Sequence, residues 1–481
     1  MKGYLSAMKR FLRTISIFLL ICMMMSFAAC ATIHETEVVP EYNSKLNEID
    51  FSGEDFILKQ NNNYNSIGDS YLGYVTNTEF EDLARERIEE VEKKYNVEIE
   101  IITDPNLSQS IQNETYSGTV SFDAAQTVSN AFSSAVRAGF MYDLADLTEY
   151  LDYRDAEKWG HIESLKPFCW DGGIYAVQPA AWPLLKYYSM DGPMIFNEEI
   201  IRYLNETDPR EFVEKDEWTW DKFEELMPVY AHKNDKGEDV TSLYTGPHPL
   251  FRTIQTTNGE GFVYKDANGE FQLSHHSERT FEAISTAWNW AFGDYASYID
   301  VTAPTWNATL QKFLDQKTTF VIVKGTELIG TTSSIAYNMS NYGVIPFPRG
   351  PYGSNKTNSG TTITETFFGT GIPQLCEDPT MSAIILNAIY EPLPGYETDE
   401  DITKYLRQNF FFDDRDTTTF IEAYQNLYYN YRNESINDVY ISINSSKSMR
   451  EWLDQYAEAD ENNRQKYVIS IETTIDELFG E

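Results

Sequence analysis

Cysteine is scarce, with four in 481 residues. Two of them, Cys22 and Cys30, lie in the first thirty residues, so no disulfide framework organises the fold. Cys169 and Cys376 could pair, but the leading reading is two separate, mostly buried thiols. Histidine is as thin, at six. No CxxC and no HExxH occurs, and the adjacent pair His275-His276 would point to opposite faces of a strand. No GxxxxGK[ST] phosphate loop, GxGxxG fingerprint or GxSxG elbow is present, and no repeat of 20–50 residues is visible. Neither metal nor cofactor is expected. Cations are outnumbered, with 37 Lys and Arg against 75 Asp and Glu, for a formal charge of −38. That balance argues against nucleic acid or anionic headgroups as primary partners, since both need a cationic face. It also makes carboxylate pairs so common that no glycosidase acid/base pair stands out.

What is abundant is core material. Apolar residues make up 42% of the chain and aromatics 14%, which excludes global disorder. The length suits two or more domains, or one large bilobal one.

The N-terminus sets the compartment. Lys2, Lys9, Arg10 and Arg13 are the only charges before Cys30, and an uncharged run extends from Thr14 to Ala29. Basic and apolar regions closed by Ala28-Ala29 describe an export signal over 1–29. Cys30 directly after them resembles the acylated cysteine of bacterial lipoproteins, although Phe27 stands where that motif prefers Leu. An uncleaved anchor and ordinary cleavage are the alternatives, and all three place the body outside the cytoplasmic membrane. Lipidation of Cys30, with residues 30–50 as anchor and tether, is the leading reading.

Periodicity predicts the first elements. Asp55-Phe56-Ile57-Leu58 reads as a strand that ends in the polar run Asn61-Asn62-Asn63-Tyr64-Asn65. Apolar positions 80, 83, 84, 88, 91 and 95 give a helix, and Val97, Ile99 and Ile101 a half-buried strand. Strand, helix, strand at this spacing implies a parallel sheet, whose ligands sit at the carboxyl ends of the strands. A hairpin is predicted over 262–273, and an aromatic-rich helix over 277–298.

Several segments, taken in order, resemble the extracellular solute-binding proteins of bacterial ABC importers, of the large sugar-binding type related to maltose-binding protein. They are Phe122-Asp123-Ala124-Ala125 with Ala138-Gly139-Phe140 and Leu144-Ala145-Asp146-Leu147-Thr148, then Gly172-Gly173-Ile174-Tyr175-Ala176-Val177-Gln178-Pro179. Leu185-Lys186-Tyr187-Tyr188, Trp218-Thr219-Trp220-Asp221-Lys222-Phe223, Tyr342-Gly343-Val344-Ile345-Pro346 and Gly371-Ile372-Pro373 follow. The resemblance covers about 50–430. It implies an α/β, two-lobed periplasmic-binding-protein fold of type II, with discontinuous lobes joined by a hinge. Lobe one would hold 51–160 plus 366–430, and lobe two 161–365 plus 431–481.

The resemblance also implies cleft residues. Asn61, Asn62 and Tyr64 follow the first strand, Ser129 and Asn130 the Asp123 strand. Trp182 occupies the loop after Pro179, and Tyr188 an expected strand beyond it. Lys324 and Glu327 follow the apolar strand 319–323, with Glu327 where maltose binders carry a tryptophan; Phe367 marks the return crossover. Amides and carboxylates suit paired sugar hydroxyls, and flat aromatic faces suit the C–H side of the ring. The implied function is a monomeric, lipid-anchored binder, not an enzyme, that captures a carbohydrate and delivers it to the permease of an ABC importer. A peptide, polyamine or ion as solute is the first alternative, and an extracellular glycoside hydrolase the second.

Overall fold

Residues 54–60 alternate in burial, with Phe56, Leu58 and Gln60 turned inward, and this strand seeds the first sheet. The computed structural model describes residues 49–61, 70–274, 277–330, 334–354, 360–363, 368–431, 443, 445–452, 454 and 464–480. The chain divides into a segment 1–49, of which only Ile49 is described, and a unit 50–481. Cys30, Asn62, Tyr64 and Phe367 therefore lie outside the described residues. Among those described, no helix is long and apolar enough to cross a membrane.

The first sheet has the strand order Phe368–Gly371, Ala124–Val128, Glu54–Gln60, Val97–Thr103. The last three are parallel, in the registers Leu58↔Ala124 and Phe56↔Ile99, and Phe368–Gly371 runs antiparallel at the edge. The expected βαβ start is present. Its helix, Glu79–Tyr95, buries Phe80, Ala84, Ile88, Val91 and Tyr95 at helical spacing. The Thr78 side chain caps its start, and Asn96, at φ 49°, ends it in the left-handed region that Asn tolerates. Asp123 fastens the sheet by accepting the Ile57 N–H at 2.8 Å.

The second sheet has the order Ile299–Asp300, Asp239–Tyr244, Thr318–Lys324, Met190–Asn197, Tyr342–Ile345, with Thr362–Ile363 added beside Met190 and Asp191. Met190–Asn197 runs antiparallel to its neighbours, so its first residues share an edge with the carboxyl ends of Asp239–Tyr244 and Thr318–Lys324. The hairpin (Val263–Lys265, Phe271–Leu273) and the helix Glu278–Phe292 form as predicted.

Among the described residues the chain leaves one sheet and next appears in the other between Val177 and Met190, between Ile363 and Phe368, and between Tyr390 and Asp414, the first, second and third crossovers. The lobes are discontinuous, as expected, but their boundaries move. Residues 161–176 pack on the first lobe, because Phe168 meets Phe132 at 5.6 Å and Pro167 O accepts the Ser133 hydroxyl. The Ile174 N–H reaches Asp143, and Val177 bridges to Thr370 on the edge strand. Helix Asp414–Gln425, assigned to lobe one from the sequence, packs on the second sheet instead. There the buried Asp416 accepts two bonds from Arg210, at 2.7 and 2.8 Å, and one from the Val344 N–H. The C-terminal helix Arg464–Phe479, assigned to lobe two, docks on 166–172. Thr474 and Ser470 accept the Gly172 and Asp171 N–H groups, and Glu472 pairs with Lys166 at 2.8 Å.

Leu185–Tyr188, expected as a strand, is one turn of helix. The chain must turn there between the two sheets, and Pro183 with Leu184 at φ 68° breaks any extended run.

Candidate functional site

In lobe two the strand ends converge through two close backbone approaches. A Cβ at Gly325 would collide with Tyr187 O, and one at Gly192, at φ 125°, with Gly360 O. These approaches press together the strand end, the first crossover and the segment that leads into the second. Tyr188, Asp191, Lys324 and Glu327 are thereby gathered in one place.

The cluster is ionic. Lys324 stands opposite Asp191 in the sheet register. Asp191 and Arg252 are 1% and 0% exposed, with Nη2 2.7 Å from Oδ1. That contact lies off the hydrogen-bonding direction, and Arg252 Nε and Nη1 are buried without a hydrogen-bond partner among the described residues. The guanidinium therefore keeps donor capacity beyond its ion pair. Glu327 Oε2 accepts the Lys324 N–H at 3.0 Å. Burial pushes the Glu327 carboxyl up to about 7, with Asp191 adding to the rise and Lys324 opposing it. Thr362 donates its hydroxyl to Asp191 O at 3.2 Å.

Lobe one supplies amides at the matching edge of its sheet. Gln60 accepts the Leu72 N–H and donates to Ser70 O and Thr103 Oγ1. Asn61, 2% exposed, donates to Pro105 O at 3.3 Å. Its amide nitrogen holds a neighbouring loop. Ser129 is buried at the first turn of helix Ser129–Arg137, and Asn130 beside it is exposed.

Trp182 corrects the sequence reading. A ligand-stacking ring needs a free face, and Trp182 is 0% exposed. Tyr74 lies parallel to it at 5.6 Å, the Tyr390 ring meets it at 5.1 Å, and its Nε1 donates to Glu391 O at 3.1 Å. It is a core residue of the first crossover.

From Trp182 an aromatic belt runs onward. Tyr74 stacks on Phe80 at 5.2 Å, and Phe80 meets Tyr396 and Tyr405 at 5.2 and 5.1 Å. Tyr405 meets Phe410 at 5.8 Å, and Phe410 meets Tyr337 at 5.9 Å. Tyr188 is half-buried beside it, within electrostatic reach of Tyr337 and Tyr405. The belt spans from the first lobe's helix Glu79–Tyr95, across the third crossover, to the second lobe's Ile335–Asn338 turn. Tyr337, 57% exposed, is its open end, and the sequence reading did not single it out. An aromatic two residues into a one-turn helix carries no local signal that separates cleft from core.

The structure thus brings Tyr188, Lys324 and Glu327 together and sets Asn130 at the other lobe's strand end, while Asn61 and Trp182 serve as scaffold. Among the described residues no group of three or more His, Cys, Asp or Glu side chains is placed to hold a metal ion.

No family model matches the sequence, and no curated protein matches it. Solved structures do match in fold. A sugar transporter of Rhizobium etli in an open conformation is 15% identical, with a TM-score of 0.59, over 85% of this chain and 99% of that one. The GacH receptor of Streptomyces glaucescens, solved unliganded and with acarbose, is 12% identical, with a TM-score of 0.51, over 89% and 99%. An ABC substrate-binding protein of Listeria monocytogenes in complex with cycloalternan is 14% identical, with a TM-score of 0.50, over 89% and 99%. The fold is the two-lobed type II periplasmic-binding-protein fold that the sequence motifs implied.

Proposed function

We propose that the protein is an extracytoplasmic binding lipoprotein that captures a sugar or oligosaccharide between its lobes and delivers it to an ABC importer. The observation that carries this reading is one juxtaposition. An aromatic belt ending in the exposed Tyr337 runs beside the polar strand ends of two lobes that three crossovers join. Aromatic faces cover sugar C–H surfaces, while the Glu327 carboxyl and the Asn130 amide bond hydroxyls. Lobes linked by crossovers close on a small ligand as hinged bodies. The sugar complexes named for two of the neighbours agree in chemistry. Cys30, acylated after signal cleavage, would tether the body at the membrane surface. The chain acts as a monomer and returns its ligand unaltered.

A thermal-shift screen across monosaccharides, oligosaccharides and polyamines tests this. A carbohydrate at about 100 times its Kd should stabilise the fold by about 2.7 kcal/mol, and chromatography should recover it intact. Tyr337→Ala should remove most of that shift. Stabilisation by polyamines alone, or recovery of a cleaved glycan, would overturn the reading.

A further inference from the structure

Beyond Thr362, which pairs with Asp191 on one side and bridges to Tyr428 on the other, a cavity of about 220 Å³ opens where four distant parts of the chain meet. The second-lobe hairpin contributes Phe262 and Phe271. The stretch after the third crossover contributes Tyr428 and Tyr431. The first lobe contributes Ile162 and, from the C-terminal helix docked on it, Ile475.

The cavity wall is polar in a specific way. Lys166, 8% exposed, is held between Glu163 at 2.7 Å and Glu472 at 2.8 Å. Lys265 is paired at the rim with Asp476, at 2.7 Å. Glu163 also accepts the Tyr429 N–H at 2.7 Å. The Tyr431 side chain stands outside this network. It is 2% exposed, and its hydroxyl is buried with no hydrogen-bond partner among the described residues. A buried phenol in that state is unfavourable unless something in the cavity bonds it.

The lining selects an occupant by elimination. Three carboxylates disfavour an anion. Lys166 already occupies the cationic position between Glu163 and Glu472, which disfavours an amine. The ion pairs on the wall disfavour a hydrocarbon, which would leave them facing an apolar surface. Flat aromatic surfaces and hydroxyl-bonding carboxylates together fit a neutral ring that is polar at its edge and apolar on its faces. The volume suits one such ring.

We propose that this cavity is a second binding site, separate from the inter-lobe strand ends, for a single neutral polyhydroxylated ring of pyranose or inositol size. Tyr431 hydrogen-bonds one hydroxyl, Glu163 and Glu472 accept from others, and the rings of Phe271 and Tyr428 cover the faces. Because its walls come from both lobes, an occupant also bears on the angle between them.

The test reads the cavity through its own lining, and the Tyr431→Phe and Phe271→Ala variants separate binding here from sugar binding at the strand ends. With isoleucine δ-methyl groups labelled, myo-inositol and methyl α-glucopyranoside are titrated and the resonances of Ile162 and Ile475 followed by NMR. Both should shift saturably at millimolar concentration. Tyr431→Phe should raise the midpoint about five- to tenfold, the range for one lost hydrogen bond. Phe271→Ala, at a half-buried position, should raise it at least as much, and glycine betaine and acetate should leave the two methyls unmoved. No saturable shift with either polyol, a Tyr431→Phe midpoint equal to wild type, or a shift by betaine instead would each overturn the site.

Discussion

Replacing Trp182 by alanine separates a packed crossover from an exposed ligand platform. The side chain is wholly buried, faces Tyr74 at 5.6 Å and donates to Glu391 O. Removing a buried ring of this size costs about 3–5 kcal/mol, transfer and cavity terms together. The lost hydrogen bond adds little, because Glu391 O also accepts from Arg87 at 3.0 Å and is not left alone. For a unit of roughly 430 residues the unfolding entropy is about 0.9 kcal/mol/K, so Trp182→Ala should melt about 3–6 °C lower than wild type. Trp182→Phe, which keeps the stack on Tyr74, should lose only about 1–2 kcal/mol. Differential scanning calorimetry without ligand measures both. A Trp182→Ala midpoint within a degree of wild type, with sugar affinity abolished, would refute the packing argument and return the ring to the cleft.

Asp416→Asn should destabilise the second lobe by about 2–4 kcal/mol in urea unfolding, because it strips the bidentate partner from the buried Arg210 while Glu198 and Asp208 remain. No change would mean the pair holds nothing together. Glu327 holds its proton up to about pH 7 in the folded state, against 4.5 for the free group. The folded chain thus binds more protons than the unfolded one in that window, and stability should fall as pH rises from about 4.5 to about 7 by an amount on the order of 1–3 kcal/mol. Glu327→Gln should flatten this slope in unfolding titrations at pH 5 and pH 8; an unchanged slope would acquit the residue. Cys30→Ser, expressed from the full chain in a bacterial host, should lose membrane partition and lipid label, and equal labelling of the two would remove the anchor reading.

The parts legible in the sequence are those written in local period. The helix Glu79–Tyr95 and the strands around it follow from apolar spacing alone, and the hairpin at 263–273 from its turn residues. The end of the apolar strand was legible too, and Lys324 closes Thr318–Lys324 with Glu327 in the turn after it. What escaped was contact between distant residues. Trp182 stood in a Pro-bounded loop, and its partners Tyr74 and Tyr390 come from more than a hundred residues away on either side. Arg252 and Asp191 are ordinary charges in a chain of 112, and nothing local marks them as a buried pair. Domain boundaries failed for the same reason. The helix Asp414–Gln425 belongs to lobe two because Asp416 reaches Arg210, which no composition shift announces.

The proposed site lies on the crossovers, and this placement has a mechanical consequence. A ligand held only by lobe surfaces would draw them together across a compliant linker. Here Tyr188 lies on the first crossover, Asp191 opens the strand that follows it, and Tyr405 and Phe410 lie on the third. Gly325 packs its backbone against Tyr187 O, so the turn that carries Glu327 rests directly on the crossover helix. A solute bound as proposed, on Glu327 and Tyr337, would therefore act on the same segments that must change their backbone angles for the lobes to move. Binding energy reaches the hinge through touching groups rather than through the length of a lobe. Substitutions that stiffen the 185–188 turn should then change affinity and lobe angle together, whereas substitutions in the outer helices should change neither.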